Sequence, residues 1–131
     1  MVANDKILKA LESATSYLEK SASALNSGDE SSFTKHFWHV AAELEYALFM
    51  FSLIFQEESV NKSKWKSNPN MKRDDINGTL AEVRSLLDNA KKFLTSGKLL
   101  DAYKSVYMAR HHVFAVEENL ANKKRGGLKT K

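Results

Sequence analysis

The chain contains no cysteine. That excludes a disulfide framework and a cysteine-ligated zinc site, and a reducing, cytoplasmic setting fits by default. Proline occurs once, at Pro69, and glycine only five times in 131 residues, so few positions interrupt helices. No run reaches the roughly 20 apolar residues a bilayer crossing needs, so no membrane span is expected. The opening MVANDKILKA turns polar too early for a secretory signal, and the triplets Asn61-Lys62-Ser63 and Asn77-Gly78-Thr79 are read as chance. Also missing are a nucleophile elbow, a phosphate-cradling glycine loop and a close carboxylate pair with a defined role. No cofactor is implied.

What the chain does contain is helical periodicity. An all-α fold is expected, a four-helix up-and-down antiparallel bundle of two hairpins with helices near 4–27, 30–60, 74–96 and 98–122. Residues 1–122 form one domain and 123–131 a basic, frayed tail. The first helix starts at an Asn4 cap and repeats Ile7, Leu8, Leu11, Ala14, Tyr17, Leu18, Ala22 and Leu25 at spacings of three and four. Gly28 provides its left-handed stop and Asp29 caps the second helix. The second core stripe is Phe33, Phe37, Ala41, Leu44, Leu48, Phe51 and Phe55. Residues 61–73 (NKSKWKSNPNMKR) lack periodicity and read as a loop. The third helix begins at Asp74, or at the Thr79–Glu82 capping box, and packs through Leu80, Val83, Leu86, Leu87, Ala90, Phe93 and Leu94. Gly97 ends it. The fourth packs through Leu99, Ala102, Tyr103, Val106, Ala109, Val113 and Leu120.

A faint repeat accompanies this plan. Leu11, Leu18, Leu25, Ser27 and Gly28 recur 69 positions later as Leu80, Leu87, Leu94, Ser96 and Gly97. A duplicated hairpin and a chance alignment of two amphipathic helices both account for it.

Charge is unevenly placed. Lys62, Lys64, Lys66, Lys72 and Arg73 lie in the 61–73 loop, and Lys123, Lys124, Arg125, Lys129 and Lys131 in the tail, with no acid in either segment. An up-down-up-down chain would bring loop and tail to one pole. Lysines for phosphates beside the aromatic face of Trp65 suit nucleic acid, and the same charge suits an acidic protein partner. A solubilising surface with Trp65 packed under the bundle is the plainer alternative.

The second helix raises its own question. Tyr46–Phe55 holds nine hydrophobic residues and Ser52. At about 100° per residue, Tyr46, Phe49 and Leu53 point about 130° or more away from the core stripe, with Met50 between the faces. At about 1.5–3 kcal/mol for each side chain fully buried, such a stripe is expected to meet something. Tyr46, Phe49, Met50 and Leu53 are therefore the expected oligomer interface, most simply a homodimer through this helix, with cover by the loop as the alternative.

The histidines are the remaining candidates for chemistry. His36, His39 and Glu43 share one side of the second helix at metal-ligand spacing, and His111 and His112 could approach from the fourth. His36 and Glu43 flank the core and His39 turns further out, as boundary residues also do. Arg110 is expected to pair with Glu117 and with Glu43 or Glu45. A metal-binding or enzymatic bundle and a structural subunit of a larger complex are alternatives to an interaction protein.

The stretch YLEKSASALNSGDESSFTKHFWHVAAELEYALF, residues 17–49, resembles HEPN-like helical domains. In these small bundles a helix ending in a Gly-Asp turn is followed by one with an alanine-rich, glutamate-bearing face. The resemblance implies a nucleic-acid-linked or toxin–antitoxin-type role and frequent dimers. Nuclease members carry an arginine followed four to six residues later by histidine. Here Arg110 is followed at once by His111 and His112, so nuclease activity is not implied.

Overall fold

The computed structural model describes the backbone of residues 2–55 and 76–129 and the side chains of residues 5–55 and 76–118. Four helices account for almost all of it: α1 (Val2–Asn26), α2 (Glu30–Phe55), α3 (Ile76–Thr95) and α4 (Leu99–Lys129). They form an all-α, four-helix antiparallel bundle of two hairpins.

Both hairpins turn by the same device. Gly28 and Gly97 adopt φ of 77° and 81°, where a side chain would be strained. The Asp29 N–H donates to the Ala24 carbonyl (2.9 Å) and the Gly28 N–H to that of Leu25 (3.2 Å), closing a Schellman turn. Sixty-nine residues on, Lys98 donates to Phe93 (2.8 Å) and Gly97 to Leu94 (3.3 Å). Asp29 then caps α2: its Oδ1 accepts the Ser32 N–H at 3.1 Å and its Oδ2 the Ser32 hydroxyl at 2.8 Å. Those bonds to the ionised form hold its pKa below the usual carboxylate range.

Burial follows the same 69-residue shift. Phe33, Phe37, Val40, Leu44 and Ala47 correspond to Ala102, Val106, Ala109, Val113 and Val116, and all ten are buried. Leu11 and Leu18 correspond likewise to buried Leu80 and Leu87. Small residues along the hairpin seams, among them Ala10, Ala14, Ala47, Ala90 and Ala109, let the paired helices approach closely. Buried Thr15 and Ser21 donate to the carbonyls of Leu11 (2.9 Å) and Tyr17 (2.8 Å), so neither hydroxyl is left unsatisfied.

The hairpins pack α1 on α3 and α2 on α4, with α2 and α3 on one diagonal and α1 and α4 on the other. Glu19 of α1 pairs with Arg84 (2.7 Å), whereas Thr15, one turn earlier, accepts from Lys91, two turns later, so α1 and α3 are antiparallel. Glu45 pairs with Arg110 and Phe51 with Tyr103, so α2 and α4 are antiparallel too. Phe55 and Ile76 therefore stand at opposite ends of the bundle. This corrects the expected meeting of loop and tail at one pole: only the start of α3, and not the finish of α2, shares an end with the finish of α4.

Boundaries differ in detail. α1 begins at Val2, so Asn4 lies inside it. α3 begins at Ile76, which packs against the core and places Thr79, itself buried, a turn inside the helix rather than at its cap. α4 continues to Lys129, seven residues beyond the expected end. Residues 56–60 and 74–75, expected to be helical, lie outside the described residues.

Candidate functional site

Two apolar stripes run along α2. Phe33, Phe37, Val40, Leu44, Ala47 and Phe51 face the core. About half a turn away lie Trp38, Tyr46, Phe49 and Leu53, exposed to 61%, 43%, 58% and 59%. Met50, expected with them, is half-buried and packs against the core.

α4 carries the companion surface. Leu100 and Phe114 are also about half exposed, and Tyr107 lies between them at heptad spacing. Among the described residues every large exposed hydrophobic side chain is on α2 or α4, and none is on α1 or α3. Trp38, Leu100 and Phe114 were not anticipated as part of this face; the seven-residue spacing of Leu100, Tyr107 and Phe114 was the available signal.

Between the two helices runs a groove of about 320 Å³ walled by Leu48, Phe49, Tyr103 and Tyr107. Phe51 and Phe55 stack on Tyr103 from α2, with ring centroids 5.0 and 5.7 Å apart, and hold the two helices together beneath it. The Arg110 Nε donates to Glu45 Oε2 across the groove, as the sequence suggested. Glu117 is the third charge here: burial pushes its carboxyl above the usual range, Arg110 pulls it down, and Glu45 adds to the rise. His111 packs edge-on against Tyr107 at 4.6 Å, and its buried Nε2 has no hydrogen-bond partner. Burial, with help from Arg110, keeps this imidazole below its usual pKa.

The candidate metal ligands do not assemble. His39 and His36 stack on Tyr17 of α1 at 4.6 and 6.3 Å, with Lys20 over the same ring and Trp38 edge-on to His39. His112 is buried, where the Glu82 charge acts on it, and desolvation lowers its pKa more than Glu82 raises it. Among the described residues no three His, Asp or Glu groups could hold a metal ion, so His36, His39 and Glu43 form no such cluster with His111 and His112. The candidate basic residues Lys62, Lys64, Trp65, Lys66, Lys72 and Arg73 lie outside the described residues. Lys123, Lys124 and Arg125 lie on α4, with their side chains outside the described set.

By length and composition alone α2 could also cross a membrane, a test that the core helix of a soluble protein passes as well. Compared with known proteins, the chain matches no family model, no curated protein and no solved structure at a significant level.

Proposed function

We propose that this chain is a non-enzymatic helical interaction protein, homodimeric through the outer face of α2, whose basic segments engage nucleic acid or an acidic protein partner without a membrane span. One observation carries the reading: α2 has a second apolar stripe, Trp38, Tyr46, Phe49 and Leu53, on the side away from the core it already fills. Half-exposed side chains of this size in one contiguous stripe mark a contact surface rather than ordinary scatter. Tyr46, Phe49 and Leu53 make that contact, and Met50 supports them from beneath.

The polyanion half of the reading rests on charge. Lys62, Lys64, Lys66, Lys72 and Arg73, with Trp65 among them, and Lys123, Lys124 and Arg125 hold no acid between them. The HEPN-like resemblance of residues 17–49 supports a nucleic-acid-linked role, and the absence of cysteine suits a cytoplasmic setting.

Two measurements test it. Light scattering on the full chain is expected to give twice the 14.8 kDa chain mass. Retention on immobilised DNA or RNA is expected to fall steeply with salt and to weaken when residues 123–131 are deleted. Binding unaltered by that deletion removes the tail from the proposal, and retention on an acidic protein but not on nucleic acid assigns the charge to a protein partner.

A further inference from the structure

The face is built from two helices, and their charges differ. From His36 to Phe55, α2 carries two carboxylates and no lysine or arginine: Glu45 lines the groove with α4, and Glu43 lies on the α1 side with Lys6 and Lys9. The stretch of α4 beside it, Leu99–Glu117, carries Lys104 and Arg110 against Asp101 and Glu117, and burial pushes the Glu117 carboxyl above the usual range. We propose that the α2–α4 face is an isologous interface in which α2 lies antiparallel across α4 of a second copy of this chain. The inference rests on the dimeric reading above and specifies its geometry.

Area comes first. Five side chains, Trp38, Phe49, Leu53, Leu100 and Phe114, are each about half exposed on this face, while Tyr46 lies on the α1 side of α2, beside Lys6, Lys9 and Glu43. Large side chains of this kind bury roughly 150–250 Å² when covered, so about 100 Å² of each remains available. That makes about 500 Å² per copy and about 1,000 Å² for a pair, the threshold for a biological interface before half-buried Tyr107 and polar neighbours are added. A second copy meets that requirement because it brings the same patch again.

Symmetry narrows the arrangement. Two copies meeting face to face are related by a two-fold axis lying in the interface. An axis across the helices sets α2 on α2 and α4 on α4. An axis along the helices sets each α2 on the α4 of the second copy. Because α2 and α4 are antiparallel within the chain, cross-interface neighbours are antiparallel in both cases.

Charge decides between them. Like on like would bring Glu45 toward its own copy, and Lys104 and Arg110 toward theirs. Crossing places acid over base. An axis along the helices also preserves height, so each residue meets the level that faces it in its own chain. Glu45 then lies at the level of Arg110 in the second copy, as it does in its own, and Phe49 lies at the level of Tyr107. The ion pair at the middle of the face becomes a four-charge network, and two apolar stripes of three- and four-residue spacing interlock around it.

The chain has no cysteine of its own, so single introduced thiols report contacts directly. Phe49→Cys and Tyr107→Cys are made as separate proteins, one isotopically labelled, and mixed under a mild oxidant. The expected result is a mixed disulfide of twice 14.8 kDa that neither variant forms alone. Ala42→Cys with Phe114→Cys repeats the measurement further along the face, with one small-to-small change. Phe49→Cys linking to itself or to Ala42→Cys overturns the crossing and leaves a dimer built α2 on α2. A dimer with no link in either mixture also overturns it and leaves only the broader reading. A monomer by light scattering of the unaltered chain, as cover by residues 56–75 of the same chain would produce, overturns the geometry and the dimeric reading together.

Discussion

Replacing Phe49 with alanine separates what its two sides do. The ring is 58% exposed, and the rest packs against the groove wall. Complete burial of a phenylalanine contributes about 1.5–3 kcal/mol, so covering the exposed part contributes about 0.9–1.7 kcal/mol per copy. A two-fold contact loses this twice, about 1.7–3.5 kcal/mol in all. At about 1.4 kcal/mol per decade, the dissociation constant of the dimer rises roughly 20- to 300-fold. Within the monomer only the inner part is lost, about 1 kcal/mol, which lowers the melting temperature by about 3–5 °C. Sedimentation across a dilution series reads the first quantity and circular dichroism the second. Lys92→Ala, on the exposed surface of α3, is the control and leaves the dimer unchanged. A Phe49→Ala protein that dimerises as tightly as its parent refutes the reasoning, because the exposed ring then contributes nothing to association.

Three further outcomes follow from the interior and the turns. Phe51 is fully buried and stacked on Tyr103, so Phe51→Ala should cost about 3–5 kcal/mol in urea unfolding. Gly28→Ala and Gly97→Ala meet open space around the new methyl group, so the loss is backbone strain alone, about 1–2 kcal/mol each, and nearly equal because the turns are equivalent. Burial keeps the imidazoles of His111 and His112 below their usual pKa, so the unfolded chain takes up protons first as pH falls. Stability is therefore full above about pH 6.5 and declines below it. Glu117, with its raised pKa, works in the opposite sense at lower pH because its folded state takes up the proton first. His112→Leu should flatten the decline between pH 7 and 5, whatever it does to absolute stability, and an unchanged slope in thermal melts would count against the assignment.

Much of this fold was readable because its signals are local. Gly28 and Gly97 each follow the last apolar residue of a helical repeat, and both stops lie where the periodicity placed them. The ion pair of Arg110 with Glu45 was legible because each lies beside its own core stripe. The core of α2 was less so. Ala41, Leu48 and Phe55 were expected in it, but they are only partly buried, and Val40 and Ala47 are fully buried in their place. Periodicity locates a stripe to within about one residue's rotation, whereas the close approach of α1 selects the side that carries the smaller groups. Trp38, Leu100 and Phe114 were missed for a related reason: a search for what packs inward does not register apolar residues that face out.

The order of helices around the bundle could not have been read at all. The three-residue turns at Gly28 and Gly97 leave each hairpin no choice but antiparallel neighbours. The connection from Phe55 to Ile76 leaves every choice. Some 20 residues can reach up to about 70 Å, and α2, at 26 residues, is about 39 Å long. The third helix can therefore start at either end of the second at little difference in chain entropy. Burial of the four apolar stripes against one another makes the choice, and the exposed pairs Glu19–Arg84 and Glu45–Arg110 and the Phe51–Tyr103 stack mark the register it takes. Because α2 then neighbours α4 rather than α3, its outer stripe is continued by that of α4, and one apolar face replaces two isolated stripes. It is this adjacency, set by packing between residues far apart in the chain, that joins the excess of hydrophobic residues on one helix to that of another in the face proposed to bind.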